Sequence, residues 1–193
     1  MFLAYLSIIP AIAIFFVHVE TNFYMQYAYF FRSVDNKANL PLLKKNMEGI
    51  HQSLRSSLVS LLKFQTFVTL ILWYFSHDII VFLNLPSLMI PIFRYGLIGA
   101  YLQALFIFCN IVLLYFLAEK EVLRNYCIFF FSNMIISWIT AYGEFKYYGL
   151  GYAGSCFITL VVSYITLNKR LAMIDVYTFM EQPISQRSTL NIT

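Results

Sequence analysis

The stretch FFVHVETNFY, residues 15–24, raises the question of chemistry first. Nothing before it is charged; then His18 and Glu20 appear, and apolar and aromatic residues resume as far as Phe31. His18, Asn22 and Gln26 stand four apart and share one helical face, whereas Glu20, two residues from His18, points nearly opposite. A regular helix cannot aim all four at one cavity, so either two surfaces of this segment meet polar surroundings or the helix is distorted here. Glu20 itself has two readings. It marks the interfacial end of a span, or it faces a cation or a wet cavity that keeps it ionised; in bare hydrocarbon a carboxylate takes up a proton.

Three further polar rows lie in apolar stretches: Gly96, Gly99, Gln103 and Asn110; Asn133, Ser137 and Thr140; and Ser155, Thr159, Ser163 and Thr166. Each is either packing glue between helices, where small residues let backbones approach, or the wall of a hydrated cavity. Lys63 either snorkels to the membrane surface along its own stem or enters a cavity. No nucleophile elbow, HExxH or phosphate loop is present. His18, His51 and His77 are scattered, and His77-Asp78 reads as a solvated pair. Cys109, Cys127 and Cys156 lack metal-type spacing and read as small apolar side chains. No cofactor or metal is expected.

The elements that must position these residues are membrane helices. Of 193 residues, 61% are hydrophobic and 11% charged, against about a quarter charged in soluble domains. The net charge of +4 comes from basic residues scattered between apolar segments, which argues against a nucleic-acid partner. A span needs about twenty apolar residues. The candidates run over about 2–31, 56–75, 92–118, 122–142 and 150–167, with a short apolar piece at 79–85 that ends at Pro86. Between the first two, residues 39–55 place Leu43, Met47, Ile50 and Leu54 at helical spacing, an amphipathic helix with Asn39 as cap and Pro41 in its first turn. It could lie on the bilayer surface.

Basic residues set the orientation. Arg32, Lys37, Lys44, Lys45, Arg55, Lys120, Arg124, Lys169, Arg170 and Arg187 fall on one side, and only Arg94 and Lys146 on the other. The positive-inside rule then puts the amphipathic helix and the tail, 168–193, in the cytoplasm and the N-terminus outside. Lys44, Lys45, Lys169 and Arg170 serve as topology markers, and Arg94 as a headgroup anchor. An outside N-terminus is the first sign of a piece of something larger.

In order, FFVHVETNFYMQYAYFF, the basic amphipathic stretch, DIIVFLNLP, PIFRYGLIGAYLQALFIFCNIVLLYF and YYGLGYAG make a set that covers most of the chain. That set resembles the C-terminal part of the PelG-type exopolysaccharide transporters, within the multidrug/oligosaccharidyl-lipid/polysaccharide flippase superfamily. Glu20-Thr21, Phe93 to Gln103, Leu113 to Phe116 and Tyr148 to Ala153 carry the match. Such transporters have about twelve helices in two lobes. The resemblance therefore implies an all-α, polytopic helical bundle of about five membrane helices, equivalent to most of a C-terminal lobe, in the bacterial inner membrane.

It further implies export of a cationic, partly deacetylated amino-sugar polymer. Implied partners are a cytosolic glycosyltransferase, inner-membrane Pel-type subunits and an N-terminal lobe or a second copy. Glu20 would attract the polycation, and Asn22, Gln103, Asn110 and Asn133 would hydrogen-bond sugar hydroxyls along the path. Alternatives are a flippase fragment for lipid-linked oligosaccharides, a non-transporting scaffold of a synthase complex and, more distantly, a membrane enzyme.

Overall fold

A computed structural model describes residues 2–18, 24–35, 40–143 and 148–172. All regular structure among these residues is α-helical, as the composition and apolar runs require: α1 (Phe2–Leu6), α2 (Ile8–His18), α3 (Tyr24–Asp35), α4 (Leu40–Tyr74), α5 (Ser76–Phe82), α6 (Met89–Tyr115), α7 (Glu119–Ala141) and α8 (Leu150–Ala172). Among the described residues four helical stretches are long and apolar enough to cross a bilayer: Lys45–Tyr74, Met89–Tyr115, Glu119–Ala141 and Leu150–Ala172.

The first expected span, 2–31, is not one helix. Pro10 has no N–H for the Leu6 carbonyl, and its ring crowds that carbonyl. The chain turns at Ser7, whose N–H and hydroxyl both donate to the Ala4 carbonyl, at 3.3 and 2.6 Å. Glu20 and Asn22 fall between α2 and α3, outside the described residues. Conversely, the amphipathic stretch from Leu40 on and the second span are one helix, α4, of 35 residues, about 52 Å long at 1.5 Å per residue; Asn39, the expected cap, lies outside the described residues. No breaker separates its polar and apolar halves. The short 79–85 piece spans the end of α5 and the turn after it.

Both tight connections end in the same device. Leu85 N–H bonds the Ile80 carbonyl and Asn84 N–H the Val81 carbonyl; Ala118 N–H bonds the Leu113 carbonyl and Leu117 N–H the Leu114 carbonyl. These are paired Schellman bonds, which need a left-handed residue just past the helix. Asn84 (φ 53) and Leu117 (φ 54) supply it. After Asn84 the chain meets Pro86, which helps stop the helix; after Leu117 it reverses directly into α7.

The bundle is built around α8, which packs extensively on both α6 and α7, while α6 and α7 touch each other much less. Along α6 and α8 the paired positions rise together (Gln103 with Tyr152, Asn110 with Ser163, Phe116 with Arg170), so these helices run parallel. On α7 and α8 one rises as the other falls (Arg124 with Thr166, Asn133 with Ser155), so they run antiparallel. Two glycines set how closely they approach. A Cβ on Gly99 would strike the Tyr152 ring, and one on Gly151 would lie 2.8 Å from the Ser137 Cα. Outward, α7 presents Phe130, Phe131, Met134, Ile135, Trp138 and Ile139, all exposed. A belt of this kind suits lipid tails.

Candidate functional site

The polar rows of α6, α7 and α8 meet one another. Asn110, buried, donates to the Phe106 carbonyl at 2.8 Å and sits 3.4 Å from the Ser163 hydroxyl; its own oxygen accepts from Asn125 Nδ2 at 3.0 Å. Asn133 accepts from Ser137 on its own helix at 3.1 Å and from Ser155 across the interface at 3.3 Å. Gln103 accepts from the Tyr152 hydroxyl. Ser155, Thr159 and Ser163 are fully buried. Amides and hydroxyls in an apolar bundle are held by one another because an unmatched one is costly there. Asn125 and Tyr152 are the members that sequence spacing did not single out. Neither belongs to a row, and only packing shows that they complete one.

The topology markers divide. Lys45 and Lys169 are exposed, Lys169 in the last turn of α8, where a cation suits the helix dipole. Lys44 lies in α4, with its side chain outside the described residues. Arg170 does more than mark a side: it is buried and donates to the Phe116 carbonyl at 3.2 Å, serving the end of α6. Arg94 donates from Nε to Ser76 Oγ at 2.9 Å and lies 5.4 Å over the Trp73 ring. It thereby ties the end of α4 and the start of α5 to α6. His77 and Asp78 form an exposed contact at 3.7 Å.

A second polar surface has room beside it. Gln52, Arg55, Ser56, Ser60 and Lys63 recur every three or four residues on one side of α4, opposite the buried Ile50, Leu54, Leu61 and Gln65. They line an open groove of about 560 Å³ in which Val59 is the apolar exception. Gln52 and Ser56 also line a neighbouring groove of about 270 Å³ with Gln26 and Met25 of α3, Gly49 and Ser53. Asn46 bonds Ser33 at 2.8 Å and so helps hold α3 against α4. Ser53 is buried, and its hydroxyl has no hydrogen-bond partner among the described residues.

Depth gives this surface its meaning. Thr66 bonds the Tyr101 hydroxyl at 3.3 Å, and farther along Trp73 meets Arg94. Numbers rise on α4 as they fall on α6, so the two run antiparallel. Carried along both helices, this register sets Lys63 level with Ala104 and His51 level with Phe116. Lys63 then sits roughly 15 Å from the Arg94 level and roughly 18 Å from the Phe116 level, near the middle of a bilayer. A lysine's four-carbon stem cannot cover either distance, which disfavours snorkelling. Above Thr66 the same face turns apolar, with Phe67, Leu70 and Tyr74 exposed. The spacing of Ser56, Ser60 and Lys63 was the available signal; dividing the helix at residue 56 hid it.

Among the described residues no group of three or more His, Cys, Asp or Glu is placed to hold a metal ion. Cys109 and Cys156 are buried and Cys127 is exposed, all free thiols. The comparison with protein families gives a match over residues 1–179 to PelG, described as "Putative exopolysaccharide Exporter (EPS-E)". No curated protein and no solved structure matches the chain.

Proposed function

We propose, because the chain belongs to the PelG exopolysaccharide-exporter family, that it forms part of a bacterial inner-membrane conduit for a polysaccharide, with the polar face of α4 as a wall of the path. The observation that carries this reading is Lys63, exposed among serines and glutamine and level with Ala104 near the middle of α6. A cation held against lipid there costs about 2.5–3.5 kcal/mol even on the most lenient scale, so this face is best suited to water, substrate or another polypeptide. Basic residues put the α6–α7 connection and the C-terminus on the cytoplasmic side. The remaining wall comes from an N-terminal lobe or a second copy, and a cytosolic glycosyltransferase with Pel-type membrane subunits delivers the chain.

Polymer charge is the finer question, and two lines of support answer it differently. The resemblance implies a cationic amino-sugar polymer drawn by Glu20, with Asn22, Gln103, Asn110 and Asn133 along its path; Glu20→Gln would then lower secretion. The described wall carries Arg55 and Lys63 instead. For export itself the test is steric: Ser60→Trp, which fills the groove, should lower the polysaccharide recovered outside the cell while the protein stays at its normal level in the membrane. Unchanged secretion would remove α4 from the path.

A scaffold reading is favoured by one observation. Gln103, Asn110 and Asn133 are engaged within the α6–α7–α8 bundle, so those helices cohere without a substrate. Normal export with a deleted chain, together with loss of synthase assembly, would decide for the scaffold.

A further inference from the structure

We propose that Tyr24 and Tyr29 of α3 form a stacking slot for a sugar ring at the cytoplasmic mouth of the path along α4. The inference rests on the export reading and adds positioning residues to the same path.

Packing accounts for two of the aromatic residues of α3. Phe30 is buried. The Tyr27 ring meets those of Tyr115 and Phe116 edge-on, at 6.2 and 5.9 Å, which sets α3 beside the end of α6 that the basic residues put on the cytoplasmic side. Tyr24 and Tyr29 turn outward instead, 56% and 57% exposed. With Met25, Ala28 and Arg32 they line an open slot of about 170 Å³. Ala28 is the short side chain there, and it leaves room for a single sugar ring.

The slot continues into the grooves beside α4. Met25 lines both the slot and the groove of about 270 Å³, and Gln52 and Ser56 line both that groove and the one that reaches Lys63. From Gly49 to Lys63 the trough follows α4 for 14 steps, about 21 Å at 1.5 Å each. An extended chain of several sugar units fits that length.

A sugar ring has two kinds of surface. Its edge carries hydroxyls, which suit the amides of Gln26 and Gln52 and the hydroxyl of Ser56. Its face carries C–H groups with a slight positive charge, which the negative face of an aromatic ring attracts. The two grooves beside α4 supply the first surface and have no aromatic side chain among their described lining residues. The slot supplies the second. Acyl chains would find little beyond Met25 and Val59 in those grooves. Stacking takes the ring by its C–H face and does not depend on the charge of the polymer.

The experiment uses the purified chain in phosphatidylcholine nanodiscs. The probes are chitooligosaccharide and maltooligosaccharide, which carry rings, and sorbitol, a linear polyol. Both oligosaccharides should bind, and sorbitol at equal hydroxyl concentration should not displace them. Tyr29→Leu should weaken binding by about two- to tenfold, the range of one aromatic contact, and adding Tyr24→Leu should weaken it further. Tyr29→Phe should bind as the unaltered chain does, because the ring and not its hydroxyl makes the contact. Equal binding by the double leucine variant overturns the inference, as does a loss in Tyr29→Phe as large as in Tyr29→Leu. Displacement of the sugars by added phosphatidylglycerol also overturns it, making this a headgroup site. So does a loss of binding that comes with a lowered thermal midpoint, which would assign the tyrosines to anchoring at the membrane surface. In producing cells the double leucine variant should secrete less polysaccharide while its membrane level stays normal. Normal secretion by that variant, where Ser60→Trp blocks secretion, removes the slot and leaves the export reading. Normal secretion by both removes α4 from the path and the slot with it, and normal secretion with the chain deleted removes the export reading.

Discussion

Gln65 shows how one side chain reports on the whole of α4. It is fully buried, and among the described residues neither end of its amide has a hydrogen-bond partner. An unsatisfied buried polar group costs about 1–3 kcal/mol, and a similarly shaped apolar replacement escapes that cost. Gln65→Met should therefore raise the thermal midpoint of the detergent-solubilised protein, by about 2–4 °C for each kcal/mol gained. A lowered midpoint would show that the amide is engaged in the folded protein. Glycines give a sharper contrast. At Gly151 a new methyl meets the Ser137 backbone, which cannot yield without moving α7; at Gly154 the nearest atoms are ordinary contacts at 3.8 and 3.9 Å. Gly151→Ala should destabilise by about 1–3 kcal/mol, the cost of overpacking, and Gly154→Ala should be close to neutral. Thermal unfolding of the two variants side by side checks this, and equal midpoints would contradict the tight α7–α8 approach.

At the scale of elements, sequence patterns named the helices better than their joints. Apolar runs led to α6, α7 and α8 within a few residues, because little but a helix satisfies its backbone in lipid. Two joints were misplaced. The division at residue 56 came from a change in hydropathy, but hydropathy is not a breaker, and nothing in SLRSSLVSLL stops a helix. In the first segment the turn falls at Ser7, where the missing N–H of Pro10 frees the Leu6 carbonyl. Leu117 is the joint that no pattern would find. Glycine is the usual residue at a left-handed cap, yet leucine holds φ 54 there, fixed by the two hydrogen bonds that close α6. That conformation costs a side-chain-bearing residue about 1–2 kcal/mol, partly offset by the greater freedom glycine has when unfolded. Leu117→Gly should be neutral to stabilising by up to about 1 kcal/mol. A marked loss of stability on thermal unfolding would mean that the exposed leucine side chain makes a contact that outweighs its backbone strain.

Considered whole, the protein turns apolar side chains outward on α7 and keeps most of the polar rows of α6 and α8 inward. The exposed polar face of α4 stands apart from that pattern. Orientation in the membrane is a whole-molecule property, and it yields to labelling. In a Cys127→Ser background, Ser87→Cys between α5 and α6 should react with an impermeant thiol reagent added outside intact cells. Lys120→Cys, at the start of α7, should react only after permeabilisation. The reverse pattern would overturn the proposed topology. It would also bring Arg55 to the outer half of the bilayer.

Sequence alone determined the all-helical membrane class, the positions of three of the long helices and the family, because hydropathy, charge and an ordered set of motifs are local properties of the chain. It also placed polar rows at helical spacing, but a row on one helix carries no information about what it faces. Tertiary structure decided that. It set Asn110 against Asn125 and Ser163, and Ser155 against Asn133, which makes those rows contacts between helices. It set α4 antiparallel to α6, which brings Lys63 level with Ala104. Depth and facing depend on how helices distant in sequence pack, and packing lies between helices rather than within any one of them.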